Sequence, residues 1–427
     1  MSIPGPNDIT RHELSNGIVI LVRENHSSPS VVISGYLNVG AYDEQPEQAG
    51  LAAFTASALM RGTTHRTFEH IYEGLESVGA SVGISSSTHT TGFGTQSLAE
   101  DLPLALGTLA DVLRHPTFPR DEIEKLRGEI LTNLEERAHD TRRLAGLTFH
   151  ELAYPKEHPY SRSPIGYTET ISNLSRDDLV GFYAGGYGPH GMVIVMVGAV
   201  KTADALAQIE TAFGDWEIET RVPPPYYERS PLPEVPRITE IREHTIPIPG
   251  KTQSDVVLGY PGPSRAAPDF LDATVCNTIL GVFGLMGRLG EKVRDEQGLA
   301  YYSYSHVYGG PGPGPWRVSA GVNPANVERA IVSIRAEIRR ICEEPVDEKE
   351  LNDNKAFITG SLPLRLETNA GVAQAILNME HYSLGLDYLR RYADLINEVS
   401  AERVQGVAQR WLDPDAFAIA IAGPPAT

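Results

Sequence analysis

The tightest constraint in this sequence of 427 residues is that it contains one local design twice. Ile171–Gly198 (ISNLSRDDLVGFYAGGYGPHGMVIVMVG) aligns without a gap on Ile396–Gly423 (INEVSAERVQGVAQRWLDPDAFAIAIAG). Ser175 falls on Ser400, Leu179 on Val404, Gly181 on Gly406 and Gly198 on Gly423. Each copy opens with a serine placed as a helix N-cap, runs through a short amphipathic helix and ends in an apolar strand. About one residue off the same offset, Pro119–Leu126 (PRDEIEKL) echoes Pro345–Leu351 (PVDEKEL). Similarity at so long a period implies that the whole fold is doubled.

Chemistry marks the boundary between the copies. Six prolines fall in Pro223–Pro236 (PPPYYERSPLPEVP) with no apolar periodicity between them. Proline removes backbone donors and stiffens the chain, so an extended linker is expected there. The expected organisation is an N-terminal domain over 1–220, a linker over 221–250 and a homologous C-terminal domain over 251–427. Halves of about 200 residues are each long enough to bury a core.

In the first half, Gly17–Arg23 and Val31–Val39 read as strands, followed by a helix over Gln48–Met60. Helices at Phe68–Val78 and Leu102–Leu113 bracket strand-like segments near Ser81–Ser97, and a long helix covers Arg120–Arg137. In the second half, Val327, Ile331, Ile334, Ile338 and Ile341 form one apolar helical stripe, opened by Asn323 and Pro324. The glycine-proline string Gly309–Pro315 lacks the Lys-Ser/Thr of a phosphate loop and reads as a hairpin connection. These blocks predict an α+β class, with two tandem homologous α/β-roll domains. Each would be a mostly antiparallel sheet with helices packed on one face. The strand order does not follow from the sequence.

The formal charge of −19 disfavours nucleic acid and anionic lipid surfaces. Met1–Thr10 shows neither the basic flank nor the apolar run of a signal peptide. No segment approaches the roughly 20 apolar residues of a membrane span. Cys276 and Cys342 read as buried free thiols, which suits a reducing cytoplasm.

Two motif regions carry the functional reading. Gly40–Thr63 (GAYDEQPEQAGLAAFTASALMRGT) resembles the signature region of the pitrilysin/insulinase-type peptidases, close to G-L-A-H-F-L-E-H-M with a following G-T. The resemblance implies a helix bearing H-x-x-E-H, in which two imidazoles bind zinc and the Glu is general base, with a ligand Glu on a later helix. Gly50, Leu51, Ala52, Phe54, Gly62 and Thr63 keep the frame. At the two His positions stand Ala53 and Ser57, at the base position Ala56, and at the later Glu position Asn133. Alanine offers no lone pair, and Ser and Asn oxygens are poor zinc ligands beside imidazole and carboxylate. His150-Glu-Leu-Ala-Tyr154 begins like H-E-x-x-H but has tyrosine for the second imidazole, and Pro155–Tyr160 reads as a structural loop.

The second region is Arg294-Asp-Glu-Gln-Gly298-Leu299-Ala-Tyr301, which resembles the family's R-x-x-x-G-L-x-Y signature. That resemblance implies side chains facing the zinc across a closed chamber, holding peptide backbone and steadying the tetrahedral intermediate. Arg294 could instead pair with Glu291 or Glu296 on the surface, and Tyr301 could be packing. The resemblance further implies the non-catalytic subunit of a bacterial heterodimeric member. It would have no cofactor of its own, a homologous partner with an intact H-x-x-E-H and zinc, and peptides as substrate. The alternative is a binding or scaffold protein of the same fold without a peptidase partner.

Overall fold

The structure, a computed structural model, describes residues 3–217 and 231–425. The chain divides into two compact units. Of the expected linker over 221–250, 221–230 lie outside the described residues and 231–236 carry neither helix nor strand, but Arg242–Pro247 is a strand of the second unit, because it pairs with Ala418–Gly423.

The first unit is built on six strands: β1 (Thr10–Glu13), β2 (Val19–Glu24), β3 (Ser30–Leu37), β4 (Ser81–Ser86), β5 (Thr91–Leu98) and β6 (Val193–Gly198). Their order is β1-β2-β6-β3-β5-β4. The second has β7 (Arg242–Pro247), β8 (Ser254–Pro261), β9 (Ala300–Val307), β10 (Pro315–Val322) and β11 (Ala418–Gly423), ordered β7-β11-β8-β10-β9. Set β7 on β2, β8 on β3, β9 on β4, β10 on β5 and β11 on β6, and the orders coincide apart from the extra β1. The directions coincide too. Only β2–β6 and β7–β11 are parallel, and every other pair is antiparallel.

The repeated segments occupy equivalent places. Ser175 Oγ accepts the Asp178 N–H at 3.2 Å and Ser400 Oγ accepts the Arg403 N–H at 3.3 Å, each capping its helix. The strand that follows enters the middle of its sheet, and β6 and β11 are buried along their whole length. A strand covered on both faces reads as a continuous apolar run, as VIVMVG and AIAIAG do.

The main helical layer of each unit covers one face of its sheet, around Ile33, Phe54 and Leu109 in the first and Leu258, Ile279 and Ile338 in the second. The opposite face is covered as well, by a helix from the other half of the sequence. Helix Thr141–Ala153 packs on β8 and β11 and belongs to the second unit; helix Asn369–His381 packs on β3 and β6 and belongs to the first. The compact units therefore do not follow the expected division at 1–220 and 251–427. One takes the chain to Leu134, the stretch from Ser163 and Pro363–Arg390; the other takes Glu135–Arg162, Pro231–Leu362 and the chain from Arg391.

The sheet faces explain the exchange. β11 presents Ala418, Ala420 and Ala422, small enough for Ala145, Phe149 and Ala153 of the incoming helix to lie close upon them. In the first unit Asn369 Nδ2 donates to the Ser30 carbonyl at 3.1 Å, and Arg11 Nη2 reaches Glu380 Oε1 at 2.9 Å.

The glycine-proline string Gly309–Pro315 connects β9 to β10, with Pro315 already the first residue of β10. Asn323 caps a 3-10 turn, Pro324–Asn326, ahead of the predicted apolar helix, which spans Val327–Glu343. Cys276 and Cys342 are buried and free. Among the described residues no single helix is long and apolar enough to cross a membrane.

Candidate functional site

The helix carrying the first motif runs Leu51–Ala58 and tightens into a 3-10 turn over Leu59–Arg61. Gly50 precedes it in the left-handed region, at φ 95°. A Cβ there would meet Gly166 Cα and Ile171 Cδ1 at 2.8 Å, so only glycine fits. The helix start is held by Glu44, a buried residue whose Oε1 and Oε2 accept the N–H groups of Gly50 and Ala52, both at 2.9 Å. A carboxylate at this end satisfies two donors and opposes the helix dipole. Nothing in the sequence pointed to Glu44, which stands six residues ahead of Gly50, outside ordinary capping spacing.

Phe54 is fully buried, with the Arg127 guanidinium 5.3 Å from its ring centroid. That contact sets the motif helix against helix Arg120–Ala138, the element that carries Asn133. At the far end, Thr63 Oγ1 donates to Asp111 Oδ2 at 2.7 Å and accepts the N–H groups of His65 and Arg66. Asp111 also binds Arg66 Nη1 at 2.5 Å and His65 Nδ1 at 2.7 Å. These bonds hold its carboxyl below the usual range against the opposing effect of burial.

The four positions that family zinc chemistry would use lie on these two helices. Ala53 is half-buried, Ala56 is buried, and Ser57 and Asn133 are exposed. Ala53 and Ser57 are four residues apart and share a helix face. The scaffold is thus in place while the donor set does not fit a zinc ion, because two methyl groups, a hydroxyl and a carboxamide cannot replace two imidazoles and two carboxylates. Among the described residues no three His, Cys, Asp or Glu side chains come together as metal ligands would.

His150 and His158 stand in the second unit with Tyr154 and Tyr160. The His150 ring stacks on Tyr154 at 5.7 Å and its Nδ1 meets the Tyr160 carbonyl at 2.9 Å. Burial drives both imidazoles down to about 4, so they are neutral packing groups at ordinary pH.

Arg294 stands in a π-helical turn, Gly290–Glu296, a wide turn often associated with functional positions. Gly298, at φ 61°, ends it. Its N–H goes to the Arg294 carbonyl and the Leu299 N–H to the Val293 carbonyl, both at 2.9 Å. This closed turn leads directly into the edge strand β9, whose second residue is Tyr301. Arg294 makes a 3.4 Å contact with its neighbour Asp295, not with Glu291 or Glu296. Tyr301 is 79% exposed, which rules out a packing role. Its neighbours on the strand differ. Tyr302 donates to Asp255 Oδ1, whose other oxygen accepts Thr141 Oγ1 at 2.5 Å, and Arg142 Nη2 donates to Tyr304 at 2.5 Å. Sequence reading missed this cluster, because Thr141 and Arg142 arrive on the exchanged helix.

The profile described as "Insulinase (Peptidase family M16)" matches residues 19–163, and that described as "Peptidase M16 inactive domain" matches residues 173–357. The chain belongs to the M16 peptidase family. An uncharacterized zinc protease, YmxG of Bacillus subtilis, is 26% identical over 97% of this chain and 98% of its own length. A protein of Helicobacter pylori named "Non-peptidase homolog YmxG" is 23% identical over 93% of this chain and 90% of its own. Among solved structures, an M16 inactive-domain protein of Pseudomonas fluorescens superposes with a TM-score of 0.88 at 24% identity. That match covers 98% of this chain and 99% of that one, and it bears on the fold alone. This M16 homologue shares the fold of that solved structure, and Ala53, Ala56, Ser57 and Asn133 stand where the resemblance sets the zinc motif.

Proposed function

We propose that this M16 homologue is the non-catalytic subunit of a heterodimeric zinc endopeptidase. It would lend Arg294 and Tyr301 to a homologous partner that carries an intact H-x-x-E-H and the zinc. The observation that carries this reading is that neither of the two side chains whose spacing resembles the family signature makes a side-chain hydrogen bond among the described residues. Tyr301 is 79% exposed, and the Arg294 guanidinium pairs with the adjacent Asp295 at 3.4 Å. Arginine is a permanent cation with a planar fork of donors suited to peptide carbonyls. A tyrosine hydroxyl can donate to an oxyanion as it develops, where donors act most strongly. Unstructured peptides are the expected substrate, since the edge strands β4 and β9 offer unpaired backbone for an extended chain. No cofactor is expected in this chain, and its place is expected to be the cytoplasm.

Two measurements test the reading. Metal analysis and a quenched-peptide assay on the chain alone should find no stoichiometric zinc and no cleavage; one tight zinc per chain overturns it. The chain is then mixed with its zinc-bearing homologue from the same source. Arg294→Ala or Tyr301→Phe should lower kcat about 10²–10³-fold without weakening the complex. Normal complexes with unchanged cleavage would make the scaffold alternative the better account.

A further inference from the structure

A cavity of about 490 Å3 opens in the first unit, on the sheet face against which helix Asn369–His381 packs. Strand alternation separates it from the motif helix: Val82 and Ile84 of β4 pack against the core, so Gly83 and Ser85 face the other way. It involves neither Arg294 nor Tyr301, so a ligand held there is independent of the function proposed above. The floor is bare. Gly83 of β4 and Gly92 and Gly94 of β5 lie side by side, with Gly83 paired to Gly94. Gly94 has a structural reason, since a Cβ there would meet the Ile33 carbonyl oxygen at 2.8 Å. The other two have none. A Cβ on Gly83 would meet nothing within 4 Å and one on Gly92 nothing nearer than 3.8 Å, and neither has a left-handed backbone. Glycine inside a strand weakens it, and where the fold does not require it, it marks the close approach of a ligand or another backbone.

A second observation is independent of the glycines. Tyr36 of β3 lines the cavity and is only 9% exposed, yet its hydroxyl has no hydrogen-bond partner among the described residues. The hydroxyl is not sealed in: it keeps accessible surface, on the cavity that the side chain lines. Burial pushes its pKa up to about 12, so it stays a neutral donor. A largely buried hydroxyl left idle is costly unless something completes it. On the helix side, Gln374 Nε2 donates to Asn378 Oδ1 at 3.1 Å, leaving Gln374 Oε1 to accept and Asn378 Nδ2 to donate. Among the described residues no Asp, Glu, Lys or Arg lines the cavity, and an unpaired charge would be costly there. The floor's own N–H and C=O groups lie in the sheet plane, so it offers a flat surface without donors or acceptors. It extends across two strands, about 5 Å, and two residues along one, about 7 Å, which is the footprint of a two-ring heterocycle. A puckered sugar would touch such a floor at few points, and a hydrocarbon ring would leave Tyr36, Gln374 and Asn378 unanswered. We infer that this cavity binds an uncharged oxopurine, lying flat on Gly83 and Gly92, with its carbonyl accepting from Tyr36 Oη and its ring N–H facing Gln374 Oε1. The free base and its nucleoside share that chemistry. The volume lies in the ordinary range of small-molecule sites.

Calorimetric titration of the full chain decides the matter, with hypoxanthine, inosine, inosine monophosphate and N-acetyl-tyrosinamide as probes. Saturable binding is expected with hypoxanthine, inosine or both. Binding of hypoxanthine alone identifies the free base as the source, and tighter binding of inosine the nucleoside. The phosphate should add nothing, since no cation lines the cavity to receive it. Tyr36→Phe removes a hydroxyl that the fold does not bond, so it should weaken binding about tenfold with an unchanged melting temperature. Gly83→Val puts a side chain into open space on a strand, which valine suits. It should weaken binding at least as much while the melting temperature holds or rises. No saturable heat with either hypoxanthine or inosine overturns the inference. So does tighter binding of the monophosphate than of inosine, binding of N-acetyl-tyrosinamide as tight as that of the purines, or unchanged affinity in both variants.

Discussion

Around the Leu51–Ala58 helix, Gly50, Phe54 and Thr63 supply a backbone conformation, core volume and the anchor of a buried network. After the Gly290–Glu296 turn, the exposed Tyr301 supplies nothing of the kind, and within the turn Arg294 makes one ion pair with the adjacent Asp295 and no side-chain hydrogen bond. Both regions resemble family signatures, yet they have kept different things. The first has kept what the fold needs and has lost the positions that chemistry would need. The second has kept two side chains that the fold could do without. A retained motif residue is therefore evidence of function only after its structural work has been subtracted, and the subtraction leaves a residue in the second unit alone. Four predictions test that contrast.

The largest effect belongs to the first unit. Phe54 is fully buried, and truncating such a side chain to alanine costs about 3–5 kcal/mol through lost transfer and the cavity left behind. Chemical denaturation of Phe54→Ala should show that loss in the chain alone, without a partner or substrate. A loss below about 1 kcal/mol would mean that the retained frame is not structural, and the contrast would fail from that side.

The second prediction uses pH. His150 and His158 are held to about 4 by burial, whereas an exposed histidine titrates near 6.5. Between those values the unfolded chain takes up protons that the folded chain refuses, so stability is complete above about 6.5 and falls as pH drops towards 4. At 1.36 kcal/mol per unit, one such imidazole accounts for roughly 3 kcal/mol at the acid end. Thermal melts from pH 7 to pH 4 should show the decline, and His150→Phe should flatten it. An unchanged slope in that variant would locate the acid sensitivity elsewhere.

A smaller effect is expected at Glu44. Replacing its carboxylate by a carboxamide leaves one acceptor for the two N–H groups of Gly50 and Ala52 and removes the charge opposing the helix dipole. Caps of this kind are worth about 1 kcal/mol. Glu44→Gln should shift the denaturation midpoint accordingly, and no shift would show that the motif helix holds without its cap.

What could be read in advance follows the range of the forces involved. The doubling was legible because serine caps and buried strands are local, and Ser175 and Ser400 do cap equivalent helices. The candidate site was legible as spacing along one helix and one turn. The strand order was not, since pairing of β6 with both β2 and β3 is a long-range choice that periodicity leaves open. Nor was the helix exchange. The apolar face of Ala145, Phe149 and Ala153 would suit either sheet, and only the small residues of β11 make one the better match. Glu44 and the Asp255 cluster were missed for the same reason: their partners are brought together by folding, not by spacing.

The smallest expected effect tests the contrast from the other side. Tyr301 is the second residue of an edge strand and is 79% exposed, and no side-chain hydrogen bond from it is found among the described residues. Tyr302 and Tyr304, one and three residues on, are bonded to Asp255 and Arg142. Tyr301→Ala removes little buried surface and no bond, so stability should change by no more than about 0.5 kcal/mol, the range of ordinary surface substitutions. Tyr302→Phe, a smaller chemical change, should cost more, because it strips a donor from the buried Asp255 carboxylate. Denaturation of the two variants side by side measures the difference. If Tyr301→Ala destabilised the chain by more than Tyr302→Phe, the tyrosine would have a structural role after all. The survival of its spacing would then need no partner to explain it.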